Sequence, residues 1–267
     1  MAMATRQTRA GPDAAVFDLD GVLTFTARVH AAAWKELFDA YLHMRAARDG
    51  APFRPFDADG DYRAYVDGRL RADGVMTFLA SRGITLPLGD PTDPPERETI
   101  WGLGNRKNAL FRERIQRDAV DVDADAVAFV RELRAGGVRV GVASSSENTA
   151  VILDRAGIAD LFEARVDGVL SERLGLAGKP WPDIFLKCLE LLGVADASRA
   201  LVAEDAIAGV EAGRAGGFGL VLGVDRGGNG DALREHGADW VIRTFRDISL
   251  SRVTRYFESR QRHERAR

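Results

Sequence analysis

The chain reads as an α/β protein: a parallel sheet with helices on both faces, interrupted by an α-helical insert. Three observations predict this. In the second half, short apolar runs alternate with stretches of helical period, the pattern of strands covered on both sides. One further apolar run, Ala14-Ala15-Val16-Phe17, stands alone near the start, far from its sister strands. Between them, residues 27–116 show helical spacing and loops but no strand pattern.

Taken in order, residues 1–13 read as a disordered lead-in and Ala14–Phe17 as the first strand. Ala27–Tyr41 is helical, since Trp34, Leu37, Phe38 and Tyr41 recur at three- and four-residue spacing. Arg48–Asp61, rich in Gly, Pro and Asp, is a loop. Ala72–Ser81 is helical, Leu86–Pro95 with its four prolines is an exposed loop, and Arg106–Arg117 is a basic helix. A helix over Asp123–Arg134 closes at Gly136-Gly137. Then follow a strand at Val138–Ala143, helices at Asn148–Ala156 and Asp183–Leu192, a strand at Ala200–Ala203 and a helix at Ile207–Ala215. Strands at Phe218–Val224 and Asp239–Ile242 complete the set. The simplest division is a Rossmann-like core, residues 14–26 and 117–250, with a helical cap, 27–116, and a C-terminal tail, 251–267. The Arg-rich tail, interleaved with Glu258 and Glu264, reads as a solvated helix.

Composition narrows the function classes. A chain of 267 residues with 46% hydrophobic and 29% charged residues is a soluble globular protein of one large or two ordinary domains. A net charge of −3 argues against a general nucleic-acid binder. No apolar run is long enough to span a bilayer, and Met1–Pro12 has no hydrophobic stretch after its arginines, which argues against a secretory leader. The single cysteine, Cys188, excludes an internal disulfide and fits a reducing, cytoplasmic setting. Its neighbours Ile184, Phe185, Leu189 and Leu192 have helical spacing, so Cys188 reads as a buried apolar residue.

Chemistry concentrates at the predicted strand ends. In Asp18-Leu19-Asp20-Gly21 the two acids share one face because a strand alternates its side chains, and Gly21 lets the chain turn away. Two acids there suit a hard cation such as Mg²⁺ or a nucleophile beside an acid/base; the alternative is an Asp-Gly turn. Ser144-Ser145-Ser146 follows the second strand, where a hydroxyl and free N–H groups would hold a phosphoryl oxygen. Its alternative is plain N-capping, with Ser144 and Glu147 as a capping box. Lys179, in the loop Gly178-Lys179-Pro180-Trp181-Pro182-Asp183, could neutralise a phosphate and an attacking carboxylate, or be an exposed loop lysine. Glu204-Asp205 ends another strand, where adjacent acids call for a cation or a helix dipole. Open α/β sheets bind ligands at the carboxyl ends of their strands, so the four motifs can converge.

In that order, these motifs resemble those of the haloacid dehalogenase superfamily of phosphotransferases, over Ala14 to Ile242. The resemblance implies that Asp18 is the nucleophile that becomes an aspartyl-phosphate and Asp20 the general acid/base. It implies that Mg²⁺ is held by Asp18, the Asp20 backbone carbonyl and Asp205 with help from Glu204, and that Ser144 and Lys179 grip the phosphoryl oxygens. Dehalogenases proper lack the second aspartate, so Asp20 argues against dehalogenation. At the start of the insert, Thr26, His30, Trp34 and Lys35 reproduce the T-x-x-x-H-x-x-x-W-K pattern of β-phosphoglucomutases, a resemblance that implies substrate-binding roles for Thr26, His30 and Trp34, and for Gly68 further on. Gly68-Arg69-Leu70-Arg71 resembles that family's sugar-phosphate loop, with Arg71 as its phosphate-binding arginine. Arg106-Lys107-Asn108 resembles its R-K-N segment, whose lysine meets substrate, and Ser144, Ser146 and Asn148 follow its S-x-S-x-N. Without the family, Trp34 would read as helix core and His30 as a satisfied histidine; with it, His30 supports Asp20 or the hinge. Phe25, Trp181 and the long cap loops depart from the family pattern.

The implied activity is the Mg²⁺-dependent interconversion of β-glucose 1-phosphate and glucose 6-phosphate through a glucose 1,6-bisphosphate intermediate, by a monomer without nucleic-acid or membrane partners. A sugar-phosphate phosphatase on the same scaffold is the first alternative. A non-catalytic phosphosugar-binding protein is the remote one.

Overall fold

The computed structural model describes residues 11–265. Six strands, β1 (Ala14–Phe17), β2 (Arg139–Ala143), β3 (Ala164–Val166), β4 (Ala200–Glu204), β5 (Leu220–Val224) and β6 (Trp240–Ile242), form one parallel sheet in the order β3-β2-β1-β4-β5-β6. Phe17 lies opposite Val142 on one side and Ala203 on the other, so β1 is central. Every residue of β1 is buried, as a strand covered on both faces requires. The strand order reverses between β1 and β4. That reversal opens a crevice at their carboxyl ends, where such sheets take ligands.

Alternation along the strands divides the core in two. Ala15, Phe17, Val142, Ala203 and Leu222 face a layer containing Phe129, Val130, Ile152, Val253 and Phe257. These come from α4 (Ala124–Ala135), α5 (Thr149–Ala156) and α10 (Leu250–Arg265). Val16, Val202 and Val221 face Phe185, Cys188 and Val210, from α7 (Asp183–Leu191) and α8 (Ile207–Ala215). Cys188 is fully buried, and burial pushes its thiol up to about 12, which leaves it unreactive at neutral pH.

The insert consists of α1 (Ala27–Asp49), α2 (Arg71–Ser81) and α3 (Ile100–Arg117), with one π turn at Tyr62–Val66. Trp34, Phe38, Tyr41, Phe56 and Phe78 build a separate apolar cluster there, with Phe38 and Phe78 centroids 4.1 Å apart. We propose the division into core and cap, with residues 27–116 as cap, on that separate cluster. Among the described residues, no helix is long and apolar enough to cross a membrane.

Several expectations need correction. The first ten residues of the lead-in lie outside the described residues, but Asp13 is ordered: its N–H donates to the Arg199 carbonyl at 2.7 Å. α1 runs to Asp49 rather than Tyr41, because good helix formers and an Arg45–Asp49 pair at 3.2 Å extend it without apolar period. α3 starts at Ile100, capped by Thr99, whose hydroxyl accepts from the Gly102 N–H. Gly102 and Gly104 mask that start in the sequence. β3, α6 (Gly168–Leu174) and α9 (Gly230–Glu235) are additional to the expected elements; each is too short to show a period. The terminal helix is not wholly solvated, since Val253 and Phe257 are buried in the core.

Candidate active site

The site stands on the β1–β4 crevice. The Asp18 N–H donates to the Ala203 carbonyl at 3.0 Å, continuing the ladder one residue past β1. Leu19 is fully buried, so Asp18 and Asp20 face away from it together. Gly21 has φ +88°, and a Cβ there would fall 1.8 Å from Asp205 Oδ2. Only glycine lets the turn pass so close to the acids. Gly209 does the same for Glu204, whose Oε1 lies 1.6 Å from where a Cβ would stand.

Lys179 is buried, not an exposed loop lysine. Its Nζ donates to Asp18 Oδ1 at 2.6 Å and to Glu204 Oε1 at 2.9 Å. Burial favours the neutral amine, but the two carboxylates outweigh it and hold the lysine above its ordinary pKa. Burial raises Asp18 and Asp205 well above the carboxylate range, and neighbouring acids add to this against Lys179. One oxygen each of Asp18, Glu204 and Asp205 lie within 4.8 Å of one another. Once deprotonated, the three carboxylates would carry two negative charges more than the Lys179 ammonium balances, on hard oxygen donors, and a bound cation would favour that deprotonation. A divalent hard cation such as Mg²⁺ fits that set. The Asp20 side chain is outside it, so any part it takes in holding a cation falls to its backbone carbonyl.

Asp20 is instead surrounded by donors. Its Oδ1 accepts from the Thr26 hydroxyl and lies 3.4 Å from His30 Nε2; its Oδ2 accepts from Ser144 Oγ at 3.2 Å. Burial would raise its pKa, but His30, Thr26 and Lys107 bring it down to about 2. Thr26 does not line the cavity. Its buried hydroxyl is shared between Thr24 and Asp20, so it orients Asp20 rather than meeting a ligand.

From the insert, His30 stacks on Phe111 with centroids 3.9 Å apart and sets Nδ1 2.7 Å from Lys107 Nζ. While Lys107 is an ammonium it only donates, and the His30 proton then sits on Nε2, on the side of Asp20. Burial, then the charge of Lys107, lowers the His30 pKa. Lys107 lies 4.7 Å from the Trp34 centroid and 5.1 Å from that of Phe111, and burial pushes it down to about 7. Trp34 serves two purposes: it stacks on Phe38 inside the insert and lines the cavity below Lys107.

Loops and side chains close the rest. The Gly68 carbonyl accepts from Ser145 Oγ at 2.7 Å, and a Cβ on Gly68 would press Ala206 Cβ at 3.0 Å. Ser144 Oγ accepts the Ser146 N–H and Ser146 Oγ accepts the Asn148 N–H. Asn148 Nδ2 donates to Asn108 Oδ1 at 2.7 Å. The capping-box alternative is not formed, because α5 starts only at Thr149 with Asn148 at its N-cap, which leaves Ser144 and Glu147 outside the helix; Glu147 pairs with Arg71 at 2.6 Å instead.

A family model for haloacid dehalogenase-like hydrolases matches residues 12–217. The chain belongs to the haloacid dehalogenase superfamily. It is 48% identical over 232 residues to a β-phosphoglucomutase of Mycobacterium bovis, covering 86% of this chain and 88% of that one. To the β-phosphoglucomutase of Bacillus subtilis it is 33% identical, over 89% of this chain and 92% of that one. The crystal structure of a Clostridium difficile β-phosphoglucomutase superposes with a TM-score of 0.72 at 23% identity, covering 93% and 98% of the two chains, which shows the shared fold. Membership of the superfamily bears out the resemblance read from the motifs and makes the chain an enzyme.

Within this haloacid dehalogenase site, Tyr62, Val66, Asp67 and Ala206 line the cavity without having been singled out in the sequence, and Asn108 and Glu147, noted there only in a motif and a capping box, line it too. Asp67 hydrogen-bonds Tyr62, and burial, then the charge of Glu204, pushes it up to about 7. Its position directly before Gly68 is the available signal. Of the departures at single residues, Trp181 is 65% exposed and outside the cavity, while Phe25 packs under the Arg226 guanidinium at 5.1 Å.

Proposed function

We propose that the protein is a Mg²⁺-dependent β-phosphoglucomutase that interconverts β-glucose 1-phosphate and glucose 6-phosphate. The observation that carries this reading is one cavity lined by Asp18 and Asp20 on the core side and by Lys107 and Arg71 from the insert. An acceptor held between them meets carboxylates suited to transfer at one end and cations suited to phosphate at the other. The 48% identity to a β-phosphoglucomutase supports the same reading.

The reaction starts from protein phosphorylated on Asp18. The 6-hydroxyl of β-glucose 1-phosphate attacks the aspartyl-phosphate; its proton passes to Asp20, and the P–O bond to Asp18 breaks. This frees the Asp18 carboxylate and yields glucose 1,6-bisphosphate. After the bisphosphate turns over, Asp18 attacks the phosphorus at the 1-position. The bond to O1 breaks, Asp20 returns its proton to O1, and glucose 6-phosphate leaves. Asp20 is ready for the first step because its donors keep it ionised. Lys179 holds Asp18 in place and balances the phosphoryl charge. Asp18, Glu204 and Asp205 would hold Mg²⁺, which when bound would supply further charge neutralisation at the transferring group. Trp34, Val66 and the insert above them keep water out. Because one chain supplies both walls, the reading is of a functional monomer.

Incubation with β-glucose 1-phosphate, Mg²⁺ and a trace of glucose 1,6-bisphosphate tests this, with glucose 6-phosphate as the expected product. Inorganic phosphate in its place would assign the hydrolase reaction on the same residues. Neither product, with no phosphoryl adduct on Asp18, would leave only binding.

A further inference from the structure

One wall of the cavity is closed by an ion pair between insert and core. Arg71 is the first residue of α2 and Glu147 lies in the loop after β2; Nη1 and Oε2 are 2.6 Å apart, with 13% and 21% of the side chains exposed. Arg71 is built in. Its Nη2 donates to Asn105 Oδ1 at 2.9 Å, and Gly104 leaves room for its stem, since a Cβ there would touch Arg71 Cγ and Nε at 3.3 Å. Its Nε is buried and has no hydrogen-bond partner among the described residues. Asn108 Nδ2 approaches the same Glu147 oxygen at 3.5 Å. Lys107, beside Asn108 on α3, feels the charge of Asp20 on one side and of Arg71 and Glu147 on the other. The end of the cavity away from Asp18 is therefore a nest of cationic and amide donors. The anion in it is the protein's own carboxylate. A carboxylate and a phosphoryl group offer the same oxygen pair to a guanidinium fork.

We propose that Glu147 is a built-in competitor for the anionic end of the substrate. It docks the insert on the core by holding Arg71 while the cavity is empty, and it yields Arg71 to the non-reacting phosphoryl group of a sugar phosphate. This rests on the sugar-phosphate reading of the site. Glu147 is thus a specificity-setting residue that lowers affinity for anionic ligands, and its removal strengthens binding rather than weakening it.

The test uses the full chain with Asp18→Asn, loaded with Mg²⁺ and titrated calorimetrically with glucose 6-phosphate. Adding Glu147→Gln is expected to tighten binding about ten-fold, the worth of one charge-assisted hydrogen bond set free. The gain should vanish when Arg71→Gln is also present. In the Asp18 protein, Glu147→Gln should lower KM for the sugar phosphate more than it changes kcat. Equal or weaker binding by Glu147→Gln would overturn the proposal and make Glu147 a substrate ligand or a purely structural residue. If the sugar assignment itself is wrong, glucose 6-phosphate binds none of these proteins. Inorganic phosphate is then titrated in its place: tighter binding by Glu147→Gln supports the competitor role, and equal or weaker binding overturns it.

Discussion

Lys179 and Lys107 are both buried lysines set about the Asp18–Asp20 pair, one from the core and one from the insert, and they are tuned in opposite directions. Lys179 touches two carboxylates and is held charged, above its ordinary pKa. Lys107 meets the neutral face of His30 and two aromatic rings instead, and burial brings it down to about 7. Burial is common to both, so contacts decide the outcome. The core cation is permanent and belongs to the site itself. The cation of the insert is conditional, and a ligand phosphate supplies the counter-charge that the protein withholds.

Removing the core cation has the largest expected effect. Lys179→Met leaves Asp18 and Glu204 buried without their ammonium, a loss of about 3–5 kcal/mol in urea unfolding, and phosphoryl transfer should fall below detection. Retention of wild-type stability would break the contrast between the two lysines. Asp20→Asn comes next: transfer to the sugar and phosphorylation of Asp18 by the bisphosphate should both slow by about 10²–10⁴, the range for a general acid/base, while Mg²⁺ binding is largely kept.

Lys107→Met reverses the sign of the stability change. Between the folded pKa of about 7 and the ordinary lysine value of about 10.4 the unfolded chain binds more protons. The wild type should therefore gain stability as pH rises through that window, with its penalty fully present below pH 7. The methionine variant should lack that rise and unfold at higher urea than wild type at pH 6. Its KM for the sugar phosphate should be about ten-fold higher there, and the gap should narrow above pH 7 as wild-type Lys107 loses its proton. A gap constant across that range would show that Lys107 does not act through its charge. The smallest effect is that of Thr26→Val. It removes one donor to Asp20 and should raise the acid limb of kcat/KM by about 0.5–1 pH unit, one hydrogen bond's worth.

The same contrast separates what is legible in the sequence from what is hidden there. Asp18, Lys179, Glu204 and Asp205 are readable because strand ends and a proline-bounded loop announce themselves locally, and a parallel sheet brings such ends to one edge. The insert is readable as helices, and Lys107 and Arg71 as candidates through their motifs. Directions of side chains are not. The motif places Thr26 on the ligand, but its hydroxyl turns inward to Asp20. Glu147 matches a local capping box, yet the helix begins only at Thr149 and an arginine 76 positions away takes its carboxylate. Asp67 and Tyr62 lie in a stretch with no period, and only the docking of the insert gives them neighbours. β3, three residues with the exposed Arg165 at its middle, offers nothing for a pattern to seize.

In the proposed reaction Asp18 carries the phosphoryl group and a sugar, not water, takes it away. Rapid quenching after mixing with radiolabelled glucose 1,6-bisphosphate and Mg²⁺ measures both halves at once. Label is expected on Asp18 within the first turnover, and on the sugar after a chase with unlabelled β-glucose 1-phosphate. Label on another residue, or its release as inorganic phosphate during that chase, would contradict the proposed reaction.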